Sequence, residues 1–370
     1  MQQLSDKTAH FTDSVIRRMT RVSMKYDAIN LSQGFPDFDP PQAIEDRLAK
    51  VAYTGPHQYA ITWGAPNFRA ALAAKQQPRM GIPIDPETQI VVTCGSTEAM
   101  MCSVMTVCNP GDRVVIFSPF YENYGADAIL CGAEPTYVEL RAPEFSFDEA
   151  ELEAACAKPG TKALILCNPS NPTGHVFTRA ELEFIAKVAD KYDLWVITDE
   201  VYEHIVYAPY EHVYFASLPG MAERTISCSS LSKTYSMTGW RLGYAIASAE
   251  VIERMRKVHD FLTVGAAAPL MEAAVAGLEL PQSYYDDLRE LYTHKRDLFC
   301  EGLRERGLKF VEPEGAYYVM VDISDFGYAS DEEFAVDLAA KVGVGAVPGS
   351  CFFHAPENRF VRFHFAKSDE

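Results

Sequence analysis

The chain has 370 residues, of which 48% are hydrophobic and 23% charged, a balance typical of a globular protein with a large core. Its formal net charge of −18 argues against binding to nucleic acid or anionic membranes, because both need basic patches. No apolar run approaches the ~20 residues of a membrane-spanning helix, and the N-terminal segment lacks the apolar stretch of a signal peptide. Nine cysteines without Cys-x-x-Cys spacing predict reduced thiols in a cytoplasmic protein, with no metal site.

The N-terminal segment, residues 1–40, is predicted to form an arm that belongs to a small domain, because it carries Gly34, Pro36 and Pro40. From residue 41 onward, short apolar segments alternate with amphipathic ones. The predicted strands are Gln89–Thr93, Arg113–Phe117, Thr136–Glu139, Ala163–Leu166, Trp195–Thr198, Thr225–Ser227 and Leu242–Ile246. The predicted helices are Thr97–Val107, Glu122–Cys131, Asp148–Lys158 and Arg179–Asp190, the last with a Thr178–Glu181 capping box. This alternation predicts an α/β fold with three layers, a mostly parallel sheet flanked by helices, over residues 41–280.

The last third of the chain predicts a smaller α+β domain, residues 281–370. A helical region extends from Ala249 to about Leu308, with interruptions at Gly265–Pro269 and at Pro281. A strand (Ala316–Asp322), a helix (Asp331–Val342) and two short strands near Gly345 and Phe360 follow. The final Ser368-Asp369-Glu370 has the composition of a helix start, so we expect a further helix beyond it.

Ligands of open α/β sheets bind beyond the carboxyl ends of the strands, and the loops at these positions carry polar groups. The segment from Cys94 to Glu98, which contains Gly95, Ser96 and Thr97, provides free amides and hydroxyls for an anion, or a plain helix cap. Tyr121 follows the next strand and either stacks on a flat ring or packs in the core.

Two further loops carry an amide and a carboxylate. The run Asn168-Pro-Ser-Asn-Pro-Thr-Gly174 predicts a rigid turn that presents the Asn171 amide. Asp199, at the end of a buried strand, requires a partner, which is either a protonated ring nitrogen or local backbone amides. Tyr202 follows it closely enough to reach the same ligand.

Residues 229–244 contain the most informative run, Ser-Ser-Leu-Ser-Lys-Thr-Tyr-Ser-Met-Thr-Gly-Trp-Arg-Leu-Gly-Tyr. The Lys233 amine can form a Schiff base with an aldehyde. Ser230, Ser232 and Arg241 can supply hydroxyls and a guanidinium fork for a phosphate. The run therefore predicts a site for a phosphorylated aldehyde.

Taken in order, these motifs resemble the class I/II aminotransferases of the fold type I pyridoxal-phosphate enzymes, from about residue 30 to 369. The resemblance implies pyridoxal 5'-phosphate as cofactor and Lys233 as the Schiff-base lysine and general base. It further implies that Asp199 holds the pyridinium nitrogen, that Tyr202 and Asn171 contact the ring hydroxyl, and that Tyr121 stacks on the ring. The phosphate ligands implied are Gly95, Ser96, Thr97, Ser230, Ser232 and Arg241.

Other motifs resemble the family's substrate-binding and dimer segments. By this resemblance Arg362, in Asn-Arg-Phe-Val-Arg-Phe, binds the α-carboxylate of the amino acid together with Gly34, whereas Arg359 is a solvated charge. Tyr59 resembles a tyrosine that crosses a homodimer interface to the phosphate site of the other subunit. The motif Leu-Ser-Gln-Gly-Phe-Pro-Asp-Phe is closest to kynurenine, glutamine and methionine aminotransferases.

The resemblance implies a ping-pong transfer of the amino group of an L-amino acid to a 2-oxo acid. The small residues Gly265–Ala268 are expected to line a roomy side-chain pocket, which favours methionine, glutamine or an aromatic (kynurenine-type) amino acid. A β-lyase acting on cysteine conjugates is the alternative, since it needs the same lysine and cofactor. A non-catalytic cofactor-binding regulator is a more distant alternative, because the chain lacks both the length and the basic charge of an added DNA-binding domain.

Overall fold

The structure, a computed structural model, describes residues 3–9 and 11–369. Its strands are β1 (Ile29–Asn30), β2 (Ile90–Thr93), β3 (Arg113–Ser118), β4 (Glu134–Arg141), β5 (Ser146–Phe147), β6 (Thr161–Cys167), β7 (Trp195–Asp199), β8 (Thr225–Ser230), β9 (Gly243–Ile246), β10 (Lys309–Val311), β11 (Tyr318–Asp322), β12 (Val344–Gly345), β13 (Val347–Pro348) and β14 (Phe360–His364). Its α-helices are α1 (Val15–Lys25), α2 (Gln42–Thr54), α3 (Pro66–Met80), α4 (Ser96–Val107), α5 (Asn123–Leu130), α6 (Glu149–Cys156), α7 (Arg179–Lys191), α8 (Ala249–Thr263), α9 (Ala268–Leu278), α10 (Gln282–Glu305) and α11 (Asp331–Asp337). None of the helices so described is long and apolar enough to cross a membrane.

The large sheet has eight strands in the order β2-β9-β8-β7-β6-β3-β4-β5. Strands β9 and β5 are antiparallel to their neighbours, so the other six run in one direction. The prediction of a mostly parallel sheet is therefore confirmed. The strand predicted over Leu242–Ile246 is β9, which is antiparallel to both of its neighbours. Its direction was not predicted, because a strand buried on both faces is apolar throughout in either direction.

Both faces of this sheet are covered by helices. Alternate residues of the central strands enter two different cores: Val115, Leu164 and Val196 on one side, Val114, Ile165 and Ile197 on the other. Helices α6 and α7 cover the first face, and α4, α5 and α8 cover the second. Each fully buried aliphatic side chain contributes roughly 1.5–3 kcal/mol. The expected three-layer architecture follows, and the capping box that begins α7 is present as predicted.

A second sheet, in the order β10-β11-β14-β13, is antiparallel and packs with α10 and α11. The N-terminal segment packs beside it: β1 forms a separate two-stranded parallel sheet with β12, and the backbone N–H of His364 on β14 donates to the carbonyl oxygen of Leu31. The arm also contains a helix that was not predicted, α1, which begins at the N-cap Ser14 and buries Ile16 and Met19. Residues 15–31 are thus part of the folded structure of this region.

Several predicted boundaries differ from those of the structure. The helix expected over Asp331–Val342 is α-helical only to Asp337. Leu338–Val342 form a short π-helix whose C-cap is Gly343. Three strands rather than two follow it. Ser368 and Asp369 are not helical, and Glu370 lies outside the described residues.

Candidate active site

The loops after β2, β3, β6, β7 and β8 meet the N-terminal segment and β14 around one cavity of about 380 Å³. The carboxyl ends of parallel strands share one edge of a sheet, which is why loops distant in sequence converge there. The sequence-predicted residues that line this cavity are Gly34, Ser96, Thr97, Tyr121, Asn171, Asp199, Tyr202, Ser230, Ser232, Lys233, Arg241 and Arg362.

Lys233 follows β8 and extends into this cavity. Its Nζ donates a hydrogen bond to the carbonyl oxygen of Gly34 at 3.2 Å. Burial and the positive charges of Arg241 and Arg362 lower the pKa of Lys233 to about 8, against the opposing effect of Asp199. An amine with this pKa is partly unprotonated near neutrality, so it can act as a nucleophile and as a base.

Asp199 is the last residue of β7 and is only 5% exposed. Tyr124 donates its hydroxyl to Oδ2 at 2.7 Å, and the backbone N–H of Val201 lies 3.4 Å from Oδ1. Burial raises the pKa of Asp199, while these two hydrogen bonds and the Lys233 charge counteract it. A cationic nitrogen placed against this carboxylate would stabilise its ionised form.

The first turn of α4 provides an anion-binding end to the cavity. Gly95 precedes the helix with φ +82°, and a Cβ atom there would overlap the guanidinium of Arg241. Gly243 is equally constrained, since its Cβ would overlap the backbone of Gly95 and Ser96. Arg241 is fixed by a 2.9 Å hydrogen bond from Nη1 to the carbonyl oxygen of Thr238. Glycine at both positions thus lets the arginine lie directly over the helix N-terminus, where amides and dipole also favour an anion.

Arg362 lies on β14 at the other end and is fully buried. Its Cζ lies 4.2 Å from the ring centroid of Tyr318 and 4.6 Å from that of Phe352. Nη1 donates to Oδ1 of Asn171 at 2.6 Å and Nη2 to the carbonyl oxygen of Ser32 at 2.8 Å. Within residues 3–9 and 11–369, Nε has no hydrogen-bond partner. The guanidinium is therefore held in one plane with unused donors, the arrangement that binds a carboxylate.

The sequence analysis missed Tyr124, Tyr317 and Tyr318, which hydrogen-bond to the predicted cavity residues Asp199, Gly34 and Tyr202. Tyr202 Oη lies 2.9 Å from Tyr318 Oη, and Tyr317 donates to the carbonyl oxygen of Gly34 at 2.9 Å. Tyr124 could have been found from its position three residues after Tyr121, which places both near one face of a helix turn. The pair Tyr317–Tyr318 gave no local signal, because its role depends on the pairing of β11 with β14.

Three of the singled-out segments lie away from the cavity of this chain. Tyr59 is 89% exposed. Among the described residues, Gly265–Ala268 do not line the cavity of this single chain, and Gly265 packs against the backbone of Thr62, so the expectation of a side-chain pocket there stays a prediction. Arg359 pairs with Glu357 at the surface, in agreement with the expectation of a solvated charge.

The residues present fit pyridoxal 5'-phosphate by the chemistry of their donors and acceptors. The cavity holds an amine of lowered pKa, a buried carboxylate of raised pKa, an anion-binding helix start beside an arginine, and a second arginine whose Nε–H has no partner among the described residues. These match in turn an aldehyde, a pyridinium nitrogen, a phosphate and the carboxylate of an amino acid. Each of these four ligand groups thus has a residue of suitable chemistry in the chain as it stands.

Comparison with known proteins agrees with this chemistry. A family model described as aminotransferase class I and II matches residues 26–370. A probable N-succinyldiaminopimelate aminotransferase of Mycobacterium tuberculosis is 36% identical over 97% of this chain and 94% of its own length. A kynurenine–oxoglutarate transaminase of Dictyostelium discoideum is 33% identical over 99% of this chain and 93% of its own. The crystal structure of an Escherichia coli protein with methionine aminotransferase function superposes with a TM-score of 0.95 at 34% identity, covering 100% of this chain and 97% of the other.

Proposed function

This chain belongs to the class I and II aminotransferases, pyridoxal-phosphate-dependent enzymes, and we propose that it transfers the amino group of methionine, glutamine or an aromatic, kynurenine-type L-amino acid to a 2-oxo acid. The observation that carries the proposal is the placement of Lys233 and Arg362 in one cavity, since an amine and a carboxylate receptor together define an amino-acid substrate. The order of these substrates follows the arm motif Leu31–Phe38, which resembles that of kynurenine, glutamine and methionine aminotransferases. The substrates of that subgroup have uncharged apolar or amide side chains.

The proposed cofactor contacts divide the cavity into three parts. Asp199 holds the ring nitrogen, with Tyr124 and Val201 orienting its carboxylate. Tyr202 and Asn171 face the ring hydroxyl and Tyr121 stacks on the ring. The phosphate is bound by the backbone of Gly95 and by the side chains of Ser96, Thr97, Ser230, Ser232 and Arg241.

The proposed chemistry of the chain centres on the Nζ atom of Lys233. When bound, pyridoxal phosphate supplies an aldehyde that takes up amino groups and a protonated ring that accepts an electron pair. Lys233 would hold the aldehyde, and its amine would be free once the amino group of the substrate takes that place. The Nζ atom of Lys233, whose pKa is lowered to about 8 in the chain without ligand, would then take and hold the proton from the α-carbon of the substrate. Release of the 2-oxo acid and entry of a second oxo acid give ping-pong kinetics.

Arg362 and Gly34 orient the substrate in this proposal. The Nε–H and the remaining Nη–H groups of Arg362 donate to the α-carboxylate as a fork, and hydrogen bonds to Asn171 and Ser32 keep the fork from rotating. The arm brings Gly34 next to Lys233, and a larger residue there would overlap Tyr318. The α-hydrogen is thereby held close to the amine that removes it.

We also propose that the enzyme is a homodimer in which Tyr59 reaches the phosphate site of the partner. Thr97 and Arg241 are exposed in the isolated chain, so the phosphate end of the cavity is open to solvent. The side chains of Tyr59 and Phe261 are 89% and 91% exposed, and a hydrogen bond from Thr62 to Asp260 links their segments. Exposed aromatic residues beside an incomplete anion site favour a second copy as their cover.

The proposed organisation assigns residues 1–40 and 281–370 to a small domain and 41–280 to the large cofactor-binding domain. Its support is that the N-terminal segment pairs with β12 of the C-terminal region and hydrogen-bonds to β14, whereas the eight-stranded sheet carries the phosphate and ring contacts. We place the enzyme in the cytoplasm, on the ground that all nine cysteines are free thiols.

A panel of amino donors and 2-oxo-acid acceptors tests the function. Methionine, glutamine and phenylalanine should each convert the cofactor to its amine form, and a 2-oxo acid should restore the original absorption. The Lys233→Ala variant, as the matched control, should show neither change. Release of pyruvate from a cysteine conjugate without an acceptor would instead favour the β-lyase, and no conversion with any donor would refute the proposal.

A further inference from the structure

Tyr318 lines the same cavity as Lys233, but the proposed function gives it no role. It lies on β11 and is 3% exposed. The register of the small sheet places it opposite His364, so Arg362 on β14 is its diagonal neighbour on the same face. The strand pairing thus brings Tyr318 between residues that the proposed function assigns to the cofactor and to the substrate.

The hydroxyl of Tyr318 forms a buried pair with the hydroxyl of Tyr202. The two oxygens lie 2.9 Å apart, and Tyr202 is only 2% exposed. Burial raises the pKa of both hydroxyls, so each of them keeps its proton near neutrality. The pair therefore has two protons, of which its own hydrogen bond uses one. The second proton is available to a ligand in the cavity.

The direction of this hydrogen bond decides which hydroxyl serves a ligand. Tyr202 can give its proton to the ring oxygen of the cofactor only when Tyr318 donates within the pair, because a hydroxyl has a single proton. Since Tyr202 then both accepts and donates, the first bond polarises the second and strengthens it. The hydroxyl of Tyr318 would thus act on the cofactor through Tyr202.

Gly34 closes one side of the Tyr318 hydroxyl and so favours this direction. A Cβ atom at Gly34 would overlap the hydroxyl oxygen and the adjacent ring carbons of Tyr318. The backbone of Gly34 is itself held, since its carbonyl oxygen accepts a hydrogen bond from Tyr317 at 2.9 Å. The Tyr318 side chain is therefore confined between the arm and Tyr202.

The ring of Tyr318 forms one wall of the Arg362 site. The guanidinium carbon lies 4.2 Å from the ring centroid of Tyr318 and 4.6 Å from that of Phe352. A buried cation this close to an aromatic ring is attracted to its face, and the contact resists tilting of the guanidinium plane. This contact does not need the hydroxyl, because phenylalanine would retain the ring.

We propose that Tyr318 is a positioning residue with two separable contacts. Its hydroxyl donates to Tyr202, which in turn donates to the ring oxygen of the cofactor, and its ring holds the Arg362 fork in the plane that receives the α-carboxylate. The inference rests on the proposed function, in which Tyr202 and Arg362 have these roles, and adds the residue that aligns them with each other. Tyr318 takes no part in proton transfer.

The first experiment removes the hydroxyl alone and follows the absorption of the bound cofactor against pH. A donor to the ring oxygen stabilises the ionised form of that oxygen. A weaker donor therefore leaves more negative charge beside the nitrogen that joins the cofactor to Lys233, and this nitrogen holds its proton to a higher pH. Tyr318→Phe should raise the midpoint by about 0.1 to 0.7 unit, the range expected when a charge-assisted hydrogen bond loses its cooperative part.

Tyr285→Phe is the matched control. It breaks a second buried hydroxyl pair, in which the oxygens of Tyr235 and Tyr285 lie 2.7 Å apart, and among the described residues neither of these tyrosines lines the cavity. It should leave the midpoint unchanged. The charges of Asp199 and Arg241 also act on the bound cofactor, but every variant retains them, so a shift reports the lost hydroxyl.

A double replacement shows whether the effect passes through Tyr202. In Tyr202→Phe the midpoint should rise by more than in Tyr318→Phe, because the whole bond to the ring oxygen is lost. Adding Tyr318→Phe to Tyr202→Phe should change the midpoint no further, since the two hydroxyls act as one chain. Shifts that add in the double variant would mean that Tyr318 reaches the ring oxygen itself, and they would overturn the positioning role of its hydroxyl.

The ring contact is tested with an unreactive carboxylate, 4-(methylsulfanyl)butanoate, which is methionine without its amino group. Calorimetry should show that Tyr318→Leu raises its Kd about tenfold, the effect of a fork that loses one charge-assisted hydrogen bond. Tyr318→Phe, which keeps the ring, should stay within about twofold of the wild type. The KM for methionine should change in the same way in the two variants.

Three further outcomes would overturn the inference. They are a wild-type titration midpoint in Tyr318→Phe, an equal shift of the midpoint in Tyr285→Phe, or equal carboxylate affinity in Tyr318→Phe and Tyr318→Leu. If methionine is transaminated in those cases, the proposed function stands while Tyr318 has no positioning role. If no amino donor reacts although the midpoint and the carboxylate affinity depend on Tyr318 as stated, the proposed function fails and the inference remains.

Discussion

Replacement of Arg362 by lysine tests how the structure recognises an amino acid. Lysine keeps the charge but has a single ammonium, which cannot hold Asn171 and Ser32 at 2.6 and 2.8 Å and also present a planar fork to a carboxylate. A hydrogen bond to a charged group contributes roughly 1.5–3 kcal/mol, so loss of one donor and of the fixed orientation should cost about 3 kcal/mol. The corresponding fall in kcat/KM is about two orders of magnitude.

The assay is steady-state transamination of methionine, with the cofactor content measured by absorption. Arg362→Lys should bind the cofactor normally and show most of its loss in KM, because Arg362 contacts the substrate carboxylate in both the ground state and the transition state. Arg359→Lys is the matched control, since Arg359 makes only a surface ion pair with Glu357 and such pairs contribute at most about 1 kcal/mol to stability. An unchanged kcat/KM in Arg362→Lys, or loss of cofactor with an unchanged KM, would refute this account of substrate binding.

Three other predictions concern the arm, a buried histidine and the lysine. Gly34→Ala should lower kcat/KM by at least about tenfold, because a Cβ there would overlap the Tyr318 hydroxyl and shift the arm; wild-type kinetics would contradict the close approach. Burial lowers the pKa of His175, but Glu181 and Glu314 outweigh this effect and raise that pKa to about 9. The Nδ1 atom lies 2.8 Å from Glu314, in an ion pair that is not aligned as a hydrogen bond. The pKa of His175 in the folded state exceeds its unfolded value, so up to about 3 kcal/mol of stability should be present below pH ~6.5 and lost as the pH rises through about 9. In urea denaturation, the free energies of unfolding of the wild type and of His175→Gln should converge over that pH range. A difference in free energy that stays constant with pH would count against the ion pair. In the apoenzyme, the rate of cofactor capture should rise with pH and level off above about pH 8, where Lys233 is unprotonated, and a rate independent of pH would contradict its lowered pKa.

The large sheet and most of the cavity could be predicted because their evidence is local in sequence. Apolar segments such as Ala163–Leu166 mark buried strands, and the polar loops that follow them must share one edge of the sheet. The order of the loops then predicted that Asn171, Asp199 and Lys233 lie close together, which they do. The direction of β9 could not be predicted, since burial on both faces removes the alternation that distinguishes strand environments.

The contacts that hold the cavity residues depend on tertiary structure and gave little signal. Tyr124 reaches Asp199 only because α5 packs beside β3 and β4, near the end of β7, and Ser32 reaches Arg362 only because the arm returns to β14. Helix α1 lies in the segment that was predicted only as an arm; it is short and rich in arginine, although Met19 is fully buried among residues of the small sheet. Short isolated helices are marginal in water, and packing on the rest of the chain stabilises this one.

The central claim is that Lys233 carries the cofactor. Reduction of the native enzyme with borohydride, proteolysis and mass spectrometry test it most directly, because reduction makes the bond between lysine and cofactor permanent. We predict a cofactor adduct on the peptide that contains Lys233, and its disappearance after incubation with an amino donor, which frees the amine before reduction. An adduct on a different lysine, such as the buried Lys75 or Lys295, or no adduct at all, would contradict the account.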